Sequence, residues 1–251
     1  MSIPKVIHYC WFGHNPLSAK ELHCIESWKR LCPDYQIIEW NESNFDIHAN
    51  LYARQAYAAQ KWAFVSDYAR LKIIYEHGGI YLDTDVELLR PLDSLLETEG
   101  FMGFQQDARI ATGLGFGACP KHPLVHAMLE DYDSIPFFKE DGSMDTTPCP
   151  NRNTLPLLKL GLEQRIDSIQ KINNFYFFPP EYFSPKDYYT NMLRTTANTY
   201  SIHHYASSWV SPETKAYVAH LHRMAALEKI IGPKLFSKIK YLWHRLHGKP
   251  Q

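Results

Sequence analysis

The chain has 251 residues, of which 45% are apolar and 21% are charged, so it is globular rather than disordered. Its formal net charge of −1 argues against a general nucleic-acid binder. The five cysteines are scattered and form no CxxC pair, which argues against a zinc site or a disulfide framework.

The amino-terminal stretch MSIPKVIHYCWFG lacks the apolar segment of a signal peptide. Nowhere do about 18 consecutive apolar residues occur, as a membrane-spanning helix would require. We therefore expect a cytoplasmic protein with reduced thiols.

The first forty residues predict a β-α-β unit. The run KVIHYCWF (5–12) is apolar and rich in strand formers, and YQIIEW (35–40) is a second strand candidate. Between them, Leu22, Ile25 and Trp28 recur at helical spacing. Such an opening predicts parallel strands within an α/β fold.

Residues 55–76 predict a helix because their large apolar residues form one continuous stripe, and a Gly-Gly pair follows as a stop signal. A short apolar strand, 80–82, comes next and carries Asp83 and Asp85 at its carboxyl end.

The rest of the chain continues the alternation of strands and helices. The expected elements are strands at 86–89, 101–104 and 113–119, a helix at 122–132, a loop at 139–153, a helix beginning within 155–162, an aromatic edge strand or loop at 175–183, a strand and loop at 199–209, and helix from residue 212. We predict one catalytic domain of residues 1–227, followed by a basic amphipathic helix at 228–251.

Two carboxylates at positions i and i+2 inside an apolar run repel each other and lose solvation, unless a cation lies between them. Mg²⁺ and Mn²⁺ are bound by one or two carboxylates together with substrate phosphates. The pair therefore favours a metal–diphosphate site, although a DxD pair also arises by chance. The aspartyl-phosphatase pattern DxDx[TV] fits less well, because Glu87 stands at its fifth position.

The stretch FVSDYARLKIIYEHGGIYLDTDVELL (64–89) resembles the sugar-binding DxD region of glycosyltransferase family 32. That family includes initiating mannosyltransferases and bacterial capsule and lipopolysaccharide glycosyltransferases, and the glucosyltransferase domain of clostridial toxins is similar. IPKVIHYCWFG (3–13) and HHYASSW (203–209) resemble further family segments in the expected order. The resemblance implies a GT-A (Rossmann-like) fold with a mixed, mostly parallel central sheet flanked by helices.

The resemblance also implies roles for individual residues. Asp85 would bind the metal directly, and Asp83 would contact the donor and reach the metal through water. Ser66, Asp67 and Arg70 match an SDxxR element, in which Asp67 accepts hydrogen bonds from donor hydroxyls and Arg70 contacts the donor sugar. Asp67 and Arg70 are spaced i, i+3 and share a helix face, so an intrahelical salt bridge is the alternative.

Trp11 matches the aromatic residue that stacks on the nucleobase, and Tyr81 would line the donor pocket. Both rings would equally fit a hydrophobic core.

The carboxyl-terminal segment offers a third metal ligand. His203 and His204 are neighbours and point in opposite directions on a strand, so only one of them faces the site. Counting back from Trp209, the resemblance favours His204 over His203. It also implies that Ser207 is an oxygen ligand and that Trp209 covers the diphosphate.

The expected function is Mn²⁺- or Mg²⁺-dependent transfer of a hexose from a nucleotide-diphosphate sugar to a glycan hydroxyl, with retention implied by the resemblance. We favour a UDP-hexose such as UDP-galactose over GDP-mannose. A non-catalytic sugar-binding module and a toxin-like enzyme that modifies a protein are the alternatives.

The carboxyl-terminal stretch LFSKIKYLWHRL (235–246) has an apolar face and a basic face. Such a helix either packs on its own domain or lies on an anionic membrane surface. The second arrangement would suit a lipid-linked acceptor at the inner leaflet.

Overall fold

A computed structural model of the protein describes residues 2–206 and 210–238. It comprises two units. The first consists of Met1–Pro185 and Arg194–Trp209, and the second consists of Lys186–Leu193 and Val210–Gln251.

The first unit is built around β-sheets. In the described residues the strands are β1 (Val6–Cys10), β2 (Gln36–Trp40), β3 (Gly79–Tyr81), β4 (Val86–Leu88), β5 (Gly100–Gly103), β6 (Phe116–Ala118), β7 (Gln170–Ile172), β8 (Phe175–Phe178) and β9 (Ser201–His203). Seven of them form one sheet in the order β2-β1-β3-β6-β5-β8-β7, and β4 pairs with β9 in a second sheet.

The large sheet is mixed. β1 pairs in parallel with both β2 and β3, and β5 pairs in parallel with β8. The pairs β3–β6, β5–β6 and β7–β8 are antiparallel. The predicted α/β class with a mixed central sheet flanked by helices is therefore confirmed.

The helices of the described residues are α1 (Ala19–Leu31), α2 (Leu51–Ala58), α3 (Trp62–His77), α4 (Pro123–Asp133), α5 (Cys149–Lys159), α6 (Pro180–Phe183) and α7 (Pro212–Ile231). Those of the first unit cover both faces of the large sheet. Tyr81 of β3 packs in the cluster that contains α2–α4 residues, whereas its neighbours Ile80 and Leu82 pack in the cluster that contains Trp28 of α1. The sheet is buried on both faces, as expected where parallel strands occur.

Helix α1 begins at a capping box, in which the Ser18 hydroxyl accepts a backbone hydrogen bond and the Glu21 carboxylate accepts one from the Ser18 amide. Its Trp28 is fully buried, and the indole Nε1 donates to the Val86 carbonyl at 2.7 Å. This bond ties α1 to β4, the strand that follows the aspartate pair.

Helix α3 ends at Gly78, whose φ of 67° is in the left-handed region that favours glycine. A Cβ at this position would lie 2.6 Å from Cδ of Pro120, so there is no room for a side chain. The tight turn directs the chain from α3 straight into β3 and its terminal carboxylates.

Three expected elements differ from the structure. The helix predicted at 55–76 is two helices, α2 and α3, because the chain turns at Gln60 with a φ of 56°. The loop predicted at 139–153 ends sooner, because Pro148 and Pro150 begin α5 at positions that tolerate proline. The aromatic strand β8 is not at an edge, because the unpredicted strand β7 pairs beyond it.

In the second unit, α7 runs from Pro212 to Ile231 and residues 233–238 are again helical. The helix passes through the expected domain boundary at residue 227, which stays a prediction. Only the first four residues of the stretch 235–246 lie within the described part of the chain. No helix in the described ranges combines the length and apolar composition that a membrane crossing requires.

Candidate active site

The aspartate pair stands at the carboxyl end of β3. The Leu82 amide donates to the His8 carbonyl at 3.0 Å, which continues the pairing with β1 past the strand end. The Val86 amide then donates to the Asp83 carbonyl at 3.0 Å and closes a turn. Both carboxylates therefore lie where parallel strands of α/β sheets characteristically present ligand-binding groups.

Strand β9 brings a histidine to this turn. It pairs antiparallel to β4 with Val86 opposite His203. The Nε2 atom of His203 lies 3.0 Å from Oδ1 of Asp85 and 4.0 Å from Oδ2 of Asp83. One ligand atom from each of the three residues lies within 4.8 Å of the others. Two carboxylates and one imidazole at this spacing fit a divalent ion such as Mn²⁺.

The neighbouring His204, which the sequence favoured as ligand, faces another carboxylate. Its Nε2 lies 2.9 Å from Oε2 of Glu87. The register between β4 and β9 decides which histidine faces the pair, since consecutive strand residues point in opposite directions. A count of residues back from Trp209 cannot reveal this strand register.

Arg70 is the centre of the adjacent charge network and is only 4% exposed. Its Nη2 lies 3.0 Å from Oδ1 of Asp67 and 3.2 Å from Oδ1 of Asp83, and its Nε donates to the Ser66 carbonyl. The guanidinium also packs over the Tyr81 ring, with 5.1 Å between Cζ and the ring centroid. The Arg70 guanidinium thus links helix α3 to Asp83 of the aspartate pair.

The two oxygens of Asp83 have different surroundings. Oδ1 accepts a hydrogen bond from Oη of Tyr81 at 3.0 Å and contacts Arg70, whereas Oδ2 faces His203. Burial raises the pKa of this carboxyl, against the opposing charge of Arg70. Burial likewise raises the pKa of Asp67 to about 6, again against Arg70.

Asp85 is held as a carboxylate. Burial alone would raise the pKa of Asp85. The charge of His203 and the hydrogen bonds from His203 and the Ala206 amide outweigh burial and lower this pKa below its usual range. The His203 imidazole loses solvation on burial, yet the neighbouring Asp85 raises its pKa. Asp85 and His203 therefore stabilise each other in their charged forms.

The backbone of Gly113 passes so close to Asp83 that it leaves no room for a side chain. A Cβ built on it would lie 2.3 Å from Oδ2 of Asp83 and 3.1 Å from Nη1 of Arg70. The turn Thr112–Leu114 is fixed from the other side, because the buried Asn153 of α5 donates through Nδ2 to Oγ1 of Thr112 at 2.9 Å. No local sequence pattern predicts the contact between Gly113 and Asp83, because it joins two distant segments of the chain.

Cys149, the first residue of α5, contacts the charge network at Arg70. Its Sγ is 3.8 Å from Nη1 of Arg70. Burial and the neighbouring Asp67 raise the pKa of the thiol well above its usual value. Sequence reasoning missed this residue because it placed Cys149 in a loop.

The remaining predicted residues are placed as follows. Trp11 follows β1, is partly buried, and donates through Nε1 to the Asn15 carbonyl at 2.6 Å. The Ser66 hydroxyl donates back along its own helix to the Trp62 carbonyl at 3.1 Å. Ser207 and Trp209 lie outside the described residues.

Comparison with known proteins agrees with this geometry. Residues 18–102 match the family model of the glycosyltransferase sugar-binding region containing the DXD motif. The matched segment includes Asp67, Arg70, Asp83 and Asp85. Residues 18–102 are therefore similar to the DXD sugar-binding region of glycosyltransferases, and the predicted resemblance to glycosyltransferase family 32 is confirmed over this segment.

Two curated relatives are glycosyltransferases by name. Inositol phosphoceramide mannosyltransferase 1 of Schizosaccharomyces pombe is 28% identical over 140 residues, which are 51% of this chain and 42% of that protein. Human alpha-1,4-N-acetylglucosaminyltransferase is 34% identical over 106 residues, which are 41% of this chain and 26% of that protein. The chain thus spans less than half the length of either relative.

Among solved structures, the PaToxG glycosyltransferase aligns with 63% of this chain and 70% of its own, at 21% identity and a TM-score of 0.48.

Proposed function

We propose that the protein is a divalent-metal-dependent glycosyltransferase that moves a hexose from a nucleotide-diphosphate sugar to a hydroxyl of a glycan acceptor. The observation that carries the proposal is the cluster of Asp83, Asp85 and His203 beside the buried Arg70–Asp67 pair. The match to the DXD sugar-binding region and the named activities of the relatives support it.

The residues present fit a divalent cation. Three ligand atoms converge, and two of them carry like charges that are costly to bury without a cation. Asp85, Asp83 and His203 would hold Mn²⁺ or Mg²⁺, with Asp85 the most firmly ionised. Such an ion neutralises the charge of a departing diphosphate, and catalysis of this kind needs no protein nucleophile.

Arg70 and Asp67 would bind the donor sugar. Because Arg70 contacts both Asp67 and Asp83, it holds the two carboxylates in fixed positions relative to the metal ligands. Asp67 remains able to accept hydrogen bonds from sugar hydroxyls, and Tyr81 orients Asp83 through its own hydroxyl. Trp11, at the end of β1, would stack on the nucleobase.

The donor proposed first is a UDP-hexose, with GDP-mannose second, and transfer proceeds with retention as the family resemblance implies. The acceptor hydroxyl then attacks the anomeric carbon from the face that the leaving diphosphate vacates. A surface polysaccharide or oligosaccharide is the proposed product.

A donor screen tests the proposal. The whole chain is incubated with UDP- and GDP-hexoses and with Mn²⁺ or Mg²⁺, and release of the nucleoside diphosphate is measured. We expect metal-dependent release that Asp85→Asn abolishes and that the exposed control Asp167→Asn retains. Failure of the wild-type chain to bind or cleave any of these donors would contradict the proposal.

The same screen separates the alternatives when labelled donors, polypeptide and glycan acceptors and simple phosphate monoesters are added to it. A non-catalytic sugar-binding module would bind a donor or glycan with Asp85 dispensable and no release. A protein-directed enzyme would show donor hydrolysis but would transfer label only to polypeptide. A phosphatase would release phosphate from simple monoesters without any nucleotide.

We further propose that the second unit associates with an anionic membrane surface on the cytoplasmic side, near a lipid-linked acceptor. Ile230 of α7 is 81% exposed, and Leu227 and Leu235 are exposed as well. Lys229 and Lys234 lie beside these apolar residues in the sequence, so hydrophobic and electrostatic attraction would act together.

Vesicle flotation tests the membrane proposal. Vesicles with and without anionic phospholipid are compared, using the full chain and a chain that ends before Glu228. We expect flotation only with anionic vesicles and its loss on truncation. Equal flotation of the truncated chain would contradict the proposal.

A further inference from the structure

The segment that leaves β9 folds around Asp85. The His204 amide donates to the Asp85 carbonyl at 3.0 Å, and the Ala206 amide donates to Oδ2 of its carboxylate at 2.7 Å. Tyr205 lies between these two donors. Both bonds therefore depend on how the backbone turns at Tyr205.

The backbone of Tyr205 is in a rarely populated conformation. Its φ is 55°, in the left-handed region that a bulky residue seldom adopts. Such a conformation is energetically unfavourable and persists where the surroundings enforce it, often at functional sites. Here it reverses the chain after β9, so that the next amide points at Asp85 instead of continuing the strand.

The side chain of Tyr205 contacts the same site through His203. Its ring meets the imidazole of His203 edge to face, with ring centroids 4.3 Å apart and an angle of 67° between the planes. The Nδ1 atom of His203 is buried and has no hydrogen-bond partner within the described ranges. The edge-to-face contact with Tyr205 therefore limits rotation of the His203 ring.

The ring of Tyr205 is itself tethered. Its Oη and Oγ of Ser184 form a hydrogen bond of 2.7 Å. Ser184 is fully buried directly after α6, where its amide donates to the Pro180 carbonyl and its carbonyl accepts from Nε2 of Gln106. The hydrogen bond thus connects the ring that contacts His203 to a buried part of the first unit.

We propose that Tyr205 is a positioning residue of the candidate metal site. Its left-handed backbone aims the Ala206 amide at Asp85, and its ring, held by Ser184, fixes the imidazole of His203 for ligation. The inference rests on the proposed function, because it deepens the role of the Asp83–Asp85–His203 cluster. Residues that orient metal ligands in this way typically contribute about 10- to 100-fold in metal affinity.

Manganese binding by the whole chain tests the inference without reference to turnover. Free Mn²⁺ is measured by electron paramagnetic resonance as MnCl₂ is added, with no donor present. Tyr205→Phe and Ser184→Ala each remove one end of the same hydrogen bond. We expect each to weaken binding by about threefold to tenfold, and the double variant to lose no more than either alone.

Two further variants separate the ring from the turn. Tyr205→Asn removes the ring but tolerates a left-handed backbone, whereas Tyr205→Val disfavours that backbone as well. We expect about tenfold weaker Mn²⁺ binding for Asn and a larger loss for Val. Tyr217→Phe, at an exposed tyrosine, is the matched control and should bind as wild type.

Thermal melting and circular dichroism accompany every variant, so that loss of fold is separated from loss of binding. Wild-type affinity in both Tyr205→Asn and Tyr205→Val would overturn the positioning role while leaving the metal site intact. Absence of Mn²⁺ binding by the wild-type chain would instead overturn the metal site and the inference together.

Discussion

Nε2 of His203 lies 3.0 Å from Oδ1 of Asp85, and this contact joins the last strand of the first unit to the turn after β3. The adjacent His204 reaches Glu87 instead. Two neighbouring histidines thus have separate carboxylate partners, which makes them a matched pair for experiment.

His203→Ala should weaken Mn²⁺ binding by about tenfold or more and reduce donor cleavage in parallel, because it removes one of the three proposed ligands. His204→Ala should stay within about twofold of wild type in both assays. Calorimetric titration of Mn²⁺ and nucleotide-release rates measure the two effects. The reverse order of the two variants would restore His204 as the ligand.

Gly113→Ala should impair the site with little effect on the rest of the fold. Its Cβ would lie 2.3 Å from Oδ2 of Asp83, so the carboxylate must move away from its present position. We expect at least about a tenfold loss in donor cleavage, since small misplacements of reacting groups are costly.

Gly142→Ala is the control for Gly113→Ala. Gly142 has a positive φ of 80° in an exposed loop, and a Cβ there meets nothing within 4 Å. It should lower the melting temperature through backbone strain and leave turnover unchanged. Equal activity of the two variants would show that the Gly113 contact does not hold Asp83.

Asp67 should make the folded state lose stability as the pH rises. Its pKa of about 6 in the folded chain exceeds the ordinary value of 3.8. Between those values the folded chain keeps a proton that the unfolded chain has released, so this stabilisation is complete below pH 3.8 and is lost as the pH rises through 6.

Asp67→Asn cannot ionise and therefore lacks this pH dependence. Its free energy of unfolding, relative to wild type, should increase by about 1–3 kcal/mol from about pH 4 to about pH 7. Urea unfolding at both pH values measures the difference, with the exposed Asp167→Asn as control. A pH-independent difference would mean that Arg70 compensates the buried charge fully.

Cys149 should be the first thiol to react in the native protein. All five cysteines lie in the described part of the chain, and the other four are buried. Because burial raises the thiol pKa, labelling at neutral pH should be slow and should accelerate as the pH increases.

Mass spectrometry after limited labelling identifies the modified residue, and Cys149→Ser provides the blank. A nucleotide sugar should protect the thiol, because Cys149 contacts the same Arg70 that the donor is proposed to meet. Rapid labelling of several thiols would contradict the packing around them.

Much of the fold and part of the site follow from local sequence patterns. Asp67 and Arg70 share a face because helical spacing alone puts them there, and the structure joins them at 3.0 Å. The position of the aspartate pair after an apolar strand follows in the same way. These inferences need no knowledge of distant residues.

The remaining features depend on contacts between distant segments. The choice of His203 requires the register of β9 against β4, and the role of Gly113 requires the approach of a turn to Asp83. The loop predicted at 139–153 is also wrong at its end. Pro148 and Pro150 are typical of a loop, but they stand at the start of helix α5. No periodicity in the sequence encodes these relationships.

The pairing of β4 with β9 has a consequence for biosynthesis. Ala206 follows Asp85 by 121 positions in the sequence. The Asp85 carboxylate therefore gains this amide donor only after most of the chain has been synthesised. Parallel pairing of β1 with β2 and β3 needs only the first third of the chain. The partners of the first parallel strands are therefore present early in synthesis, whereas the proposed metal site has all its residues only once synthesis has passed β9.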